Sequence, residues 1–219
     1  DEAAFWSLLA RGECSVSEIP ADRWSHERFL HPGRGVPGRS YTFAAGVLDD
    51  IFGFDAGAFG LSPREAEQID PQQRLLLELV REAFEDANIP LSALAGGNVG
   101  VFVGASSLDN SLHFISDISA ADAHFVTGNA LSIIANRISH VFSFTGPSLT
   151  IDTACSSSLV AFDRAVKAIE SGEIDTAVVA GVNILASPFH FIGFPRAGML
   201  SPTGRCRPFS GDADGYVRA

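Results

Sequence analysis

Residues 147–173 read PSLTIDTACSSSLVAFDRAVKAIESGE, and the way this stretch divides decides the fold. Its first eight residues form a short apolar and β-branched run, which predicts a strand. From Ser156 onward the period changes. Leu159, Val160, Phe162, Val166 and Ile169 recur at helical spacing, which predicts an amphipathic helix with these residues inward and Gly172 as its stop. Cys155 stands at the break, where a strand turns sharply into the N-terminus of a helix. The unpaired N–H groups and dipole there favour negative charge, so a thiolate is stabilised. The same N–H groups suit the oxyanion formed when a thioester carbonyl is attacked. Ala154 and Ser156 to Ser158 are small enough to let a carbonyl approach. The local pattern leaves two readings open: a nucleophile, or a small structural cysteine of the kind that is usually buried.

Working outward, strands and helices alternate. Residues 99–104, VGVFVG, predict an apolar strand, and 174–183, IDTAVVAGVN, another. A helix between them carries Leu131, Ile134, Ile138 and Val141 on one face, with Gly146 as its expected end. Upstream, IDPQQRLLLELVREAFEDANIP predicts a helix with Leu75, Leu76, Leu79, Val80, Ala83 and Phe84 at helical spacing, closed by Pro90. The first residues predict a short helix with Phe5, Leu8 and Leu9 on one side and Gly12 as its stop. Residues 14–60 predict an ordered loop layer with a short strand near 42–48, and the Gly/Pro-rich segment after 186 predicts loop. The class is α/β with layered sheets and helices.

The chain has 219 residues, 46% of them hydrophobic, enough for a sizeable core. The net charge of −11 comes with no basic patch, which argues against nucleic acid. Cys14, Cys155 and Cys206 make no metal spacing, and an odd, scattered set predicts a reduced, cytoplasmic setting. No apolar run reaches the ~20 residues of a membrane span, so no membrane is expected.

The segment GPSLTIDTACSSSLVAF, Gly146 to Phe162, resembles the active-site segment of the β-ketoacyl synthases found in type I polyketide synthases, whose D-T-A-C-S-S-S-L motif is intact at Asp152 to Leu159. FWSLLARGECSVSEIPADRW, IDPQQRLLLELVREAFEDANI, GVFVGAS, NRISHVFSFTGPS and ADGYVRA resemble other segments of that family, in the same order. The resemblance implies a thiolase-like fold of layers α-β-α-β-α, of which this chain supplies mainly the N-terminal half. Residues 1–219 are then expected to be a partial ketosynthase domain that lacks the first strand and the C-terminal half.

The resemblance implies that Cys155 takes an acyl group from a phosphopantetheine thioester on an acyl carrier protein. A malonyl-type extender on a carrier protein then loses carbon dioxide and attacks the acyl-cysteine. No cofactor is bound directly. The expected partners are acyl carrier protein, a second copy in a homodimer, and other polyketide synthase domains. Two family histidines, in H-G-T-G-T and N-x-G-H segments, hold the enolate. None of the six histidines here stands in such a segment. Thr127, Phe194 and Met199 are the expected substrate-tunnel residues, with Thr127 also near the dimer interface. An acyl-transferring but non-elongating ketosynthase keeps the same cysteine, and a non-catalytic dimerisation or carrier-docking module is a third reading.

Other residues read more plainly. His190 lies among Phe189, Phe191 and Phe194, where a packed histidine is the simpler reading than a base for Cys155. Asp152 suits a turn anchor. Arg196, Arg205, Arg207 and Arg218 suit pairing with Asp212 and Asp214. The family has Phe-Asp where this chain has Phe209-Ser210, which puts the local hydrogen bonding there in doubt.

Overall fold

The computed structural model describes residues 2–115 and 117–219. Along the chain run α1 (Glu2–Arg11), β1 (Val16–Glu18), β2 (Ala44–Gly46), α2 (Pro71–Asp86), β3 (Val99–Gly104), α3 (Leu131–Phe142), β4 (Ser148–Ile151), α4 (Ser157–Glu170), β5 (Thr176–Gly181) and α5 (Phe189–Arg196), with shorter helical turns between them. They form two compact units, residues 50–184 and residues 2–49 with 185–219.

In the 50–184 unit, β3 lies between β4 and β5 in a parallel sheet. Successive side chains of β3 point to opposite faces. Val99, Val101 and Val103 meet Ile134, Ala135 and Ile138 of α3, with Leu76, Leu77, Val80 and Phe84 of α2 stacked beyond them. Phe102 meets Ala161, Ala165 and Ala168 of α4 on the other face. The unit is thus layered helix–helix–sheet–helix, as an alternation of strands and helices requires.

The predicted strands form where expected, but three helical expectations are corrected. The inward face of α4 is its alanines, with Leu159 74%, Phe162 58% and Ile169 46% exposed and Val160 half-buried. These alanines pack against Phe102 and Ile174, with Ala177 and Val179 beside them, and the large side chains there leave room only for methyl groups on the helix. In α2, Leu79 is 53% exposed and Ala83 is exposed, while Leu77 joins the core. Helix α3 ends at Ser143, whose φ of 57° puts it in the left-handed region, and not at Gly146. Asp70 caps α2 by accepting the Gln72 N–H at 2.8 Å, and Pro71 sits at the first helical position. The motif IDPQQR is therefore a helix start.

In the other unit, β1 and β2 pair antiparallel. Its core is Ile19, Trp24, Phe43, Leu185, Phe191 and Leu200. The Trp24 and Phe43 rings meet edge-on with centroids 5.5 Å apart. The segment expected to be loop contains α5, despite Pro195 in its last turn. Burial of Phe191 against Trp24 and Phe43 outweighs the local glycine and proline signals. Helix α1 buries none of its residues, and Phe5 and Leu9 are 65% and 53% exposed. No described helix is long and apolar enough to cross a membrane.

Candidate active site

Strand β4 ends at Ile151, and the chain then makes a tight turn into α4. Ala154 at its centre has φ 56°, a left-handed conformation that costs a non-glycine residue about 1–2 kcal/mol. The side chains of Asp152 and Ser157 hold it. Asp152 Oδ1 accepts the Ala154 N–H at 2.9 Å, as expected of a turn anchor. The buried Ser157 hydroxyl donates to Ala154 O at 2.6 Å and accepts the Thr153 N–H at 2.9 Å. Ser156 caps the helix by position only, since its hydroxyl turns back to Thr153 O at 2.9 Å. Cys155 emerges from this turn exposed, one residue before Ser156, the N-cap of α4, whose first N–H groups have no intrahelical acceptor.

The neighbouring strands make room for the turn. Gly104 pairs with Ile151 on one side and Gly181 on the other, at the carboxyl end of the sheet. A Cβ on Gly104 would lie 2.4 Å from Ser158 N and 2.6 Å from the Ser157 carbonyl carbon. A Cβ on Gly181 would lie 2.8 Å from Ser158 Cβ. Two glycines and the small Ser157–Ser158 pair therefore let the N-terminus of α4 sit almost on the sheet. Crevices at the carboxyl ends of parallel strands are where such sheets place ligands.

Thr127 is exposed on the helical turn Phe125–Gly128, its hydroxyl donating to His124 O at 3.2 Å. Side chains at the start of α2 fix that turn. Gln73 Nε2 donates to Thr127 O at 3.2 Å and Gly128 O at 2.8 Å, and Arg137 Nε donates to Gln73 Oε1 at 2.5 Å. Arg137 also pairs with Glu65 at 2.8 Å. Sequence reasoning missed Gln73 and Arg137, because polar residues within apolar helices give no sign of a buried partner. Burial pushes the Asp70 carboxyl up to about 6, and nearby Asp109 adds to the effect against the opposing Gln72 hydrogen bonds.

Phe194 and Met199 belong to the other unit. Phe194 is half-buried, with His190 stacked on it at 5.7 Å and the Arg218 guanidinium 5.0 Å from its ring centroid, while Met199 is 43% exposed. The expected aromatic cluster is therefore only partly a core: Phe191 is buried, and Phe189 is 65% exposed. His190 contacts Phe189 and Phe194, as a packed histidine does. Arg207 pairs with Asp214 at 3.5 Å. At the Phe209-Ser210 departure, Ser210 Oγ accepts the Asp212 N–H at 3.2 Å.

Fold and site together define a layered α/β protein that presents a thiol on a strained strand-to-helix turn. The family model described as "Beta-ketoacyl synthase, N-terminal domain" matches residues 1–219, so the chain belongs to the β-ketoacyl synthase family. It is 42% identical over its whole length to the polyketide synthase ThaG of Burkholderia thailandensis, and spans 4% of that protein. It is 44% identical over 96% of its length to the pikromycin polyketide synthase component PikAII of Streptomyces venezuelae, and spans 6% of it. Among solved structures, the oxazolomycin ketosynthase domain OzmH KS7 of Streptomyces albus JA3453 superposes with a TM-score of 0.91 at 40% identity, over 98% of this chain and 38% of that one. The module 6 ketosynthase of the Bacillus subtilis 168 bacillaene synthase superposes with a TM-score of 0.83 at 35% identity, over 98% and 34%. The expected thiolase-like fold is thus the fold of these ketosynthases, and the chain corresponds to their N-terminal portion.

Proposed function

We propose that Cys155 is the acyl-accepting nucleophile of a polyketide chain-extending ketosynthase. The observation that carries this is an exposed thiol leaving a left-handed alanine at the head of α4, inside an intact family segment. In the first half-reaction Cys155 Sγ attacks the carbonyl carbon of a carrier-protein thioester. The new S–C bond forms, the old one breaks, and the phosphopantetheine thiol leaves with the proton. The N–H groups at the helix terminus serve the oxyanion formed during attack. In the second, a malonyl-type extender loses its carboxylate as carbon dioxide. Its α-carbon bonds to the acyl carbon, and the Cys155 thiolate is expelled and regenerated. This chain's residues carry the first half-reaction. The enolate donors expected from the family stand in segments that these residues do not include.

The exposed row Leu159, Phe162, Val166 and Ile169 on α4 supports a partner layer over this helix, which the rest of a five-layered domain would supply. Among the described residues strand β4 is one of the two edges of its sheet, and Leu149 on it is 47% exposed, which supports a homodimer formed along that edge. The acyl carrier protein and other synthase domains are the remaining proposed partners, in the cytoplasm.

The test supplies the full-length protein with an acyl thioester and a malonyl carrier protein. A β-ketoacyl carrier protein with release of carbon dioxide is the expected product. Acylation without extension would establish the transfer-only reading instead. Absence of both would leave only a docking role.

A further inference from the structure

Among the hydroxyls around the cysteine, that of Ser157 differs from its neighbours. The residue is 6% exposed, whereas Thr153, Ser156 and Ser158 are exposed. Its Oγ spans the turn, accepting from the backbone of Thr153 and donating to the backbone of Ala154, at 2.9 and 2.6 Å. The Ser157 N–H reaches the same Ala154 carbonyl at 3.1 Å. One side chain therefore ties down an N–H before the left-handed residue and the carbonyl after it. The exposed Ser156 hydroxyl reaches Thr153 O and Thr153 Oγ1, each at 2.9 Å, but does not bond the Ala154 carbonyl.

The Ala154 carbonyl belongs to the peptide that carries the Cys155 N–H. Fixing the direction of that carbonyl fixes the direction of the N–H opposite it, because the peptide is planar. The same plane places the Cys155 Cα, the point from which Cβ and Sγ leave the turn. The left-handed backbone at Ala154 is unfavourable on its own and persists only where surroundings over-determine it. Asp152 holds the amide side of Ala154 at 2.9 Å, and Ser157 holds the carbonyl side.

We infer that Ser157 is a positioning residue for the nucleophile: its hydroxyl holds the Ala154–Cys155 peptide in the orientation that aims the thiol and its own N–H at one acyl carbonyl. This rests on Cys155 being the acyl acceptor. It assigns to the second serine of the motif a task distinct from helix capping or substrate contact.

The experiment measures acylation of Cys155 by an acyl thioester in the full-length protein, with peptide mass spectrometry resolving Cys155, Cys14 and Cys206. It compares wild type with Ser157→Ala, Ser157→Thr and Ser157→Cys. Ser157→Ala should lower the acylation rate constant at least tenfold, with the thioester concentration for half-maximal rate within twofold of wild type. Ser157→Thr keeps the oxygen and should stay within threefold. Ser157→Cys keeps the shape but bonds poorly and should fall at least fivefold, which reads out the inference even where Ser157→Ala does not fold. Hydrogen-exchange protection of β3 and α3 should not change, whereas general loosening of the 50–184 unit would lower it. A Ser157→Ala or Ser157→Cys protein acylated within twofold of wild type overturns the inference, as does Ser157→Thr falling as far as Ser157→Ala. If wild-type Cys155 itself is not acylated, the nucleophile reading fails first, and the comparison shows this separately.

Discussion

Asp70 shows what one buried carboxyl does in this fold. It caps α2 through Oδ1, while Oδ2 is buried without a hydrogen-bond partner. Its ordinary value of 3.8 is raised to about 6, chiefly by burial. A raised carboxyl favours the protonated form in the folded state. The stability it contributes is complete below the unfolded value and is lost as pH rises through about 6. At about 1.4 kcal/mol per pH unit, the loss is a few kcal/mol. Asparagine caps helices as well as aspartate but carries no charge. Asp70→Asn should therefore gain hydrogen-exchange protection in α2 relative to wild type as pH goes from 4 to 7. A variant–wild-type difference that stays flat over that range would contradict the assignment. None of this is legible in sequence: IDPQQR announces a helix start, but burial of Asp70 depends on the 107–109 and 127–129 segments folding over it.

At the scale of elements, the nucleophile turn depends on how closely α4 approaches β3 and β5. Gly104→Ala would drive a Cβ into the backbone at Ser157 and Ser158, which no rotamer change relieves. Overpacking of this kind costs about 1–3 kcal/mol. The variant should lose at least tenfold in Cys155 acylation while Cys14 and Cys206 label as in wild type, and an unchanged acylation rate would contradict the close-approach account. The strands and the long helices were legible because their periods are strong and their boundaries carry Pro71 and Gly172. What was not legible was orientation. Helix α4 is apolar on two faces, and the pattern 159, 160, 162, 166, 169 picks out the larger residues. Only the assembled sheet reveals that Ala161, Ala165 and Ala168, which pack against Phe102 and Ile174, are the ones that fit. Helix α5 was hidden for the converse reason, since its aromatic core contacts come from residues far away in sequence.

At the scale of the whole molecule, the family and the thiolase-like layering were readable from the motifs and their order, and the two-faced α4 is what the central layer of such a fold requires. Leu159, Phe162, Val166 and Ile169 together expose a row that a second layer would bury at about 1.5–3 kcal/mol per side chain. An ordinary exposed position tolerates a polar residue within about 0.5 kcal/mol. In the full-length protein, Phe162→Asp should instead reduce soluble, folded yield severalfold and lower the melting temperature by several degrees. Wild-type yield and melting would mean that the row faces solvent. The central claim, that Cys155 accepts the acyl group, is tested most directly by intact-peptide mass spectrometry after brief incubation of the full-length protein with an acyl thioester. The account predicts one acyl adduct on the peptide containing Cys155, reversed by hydroxylamine and lost in Cys155→Ala. An adduct on Cys14 or Cys206 instead, or an adduct that persists in Cys155→Ala, would contradict it.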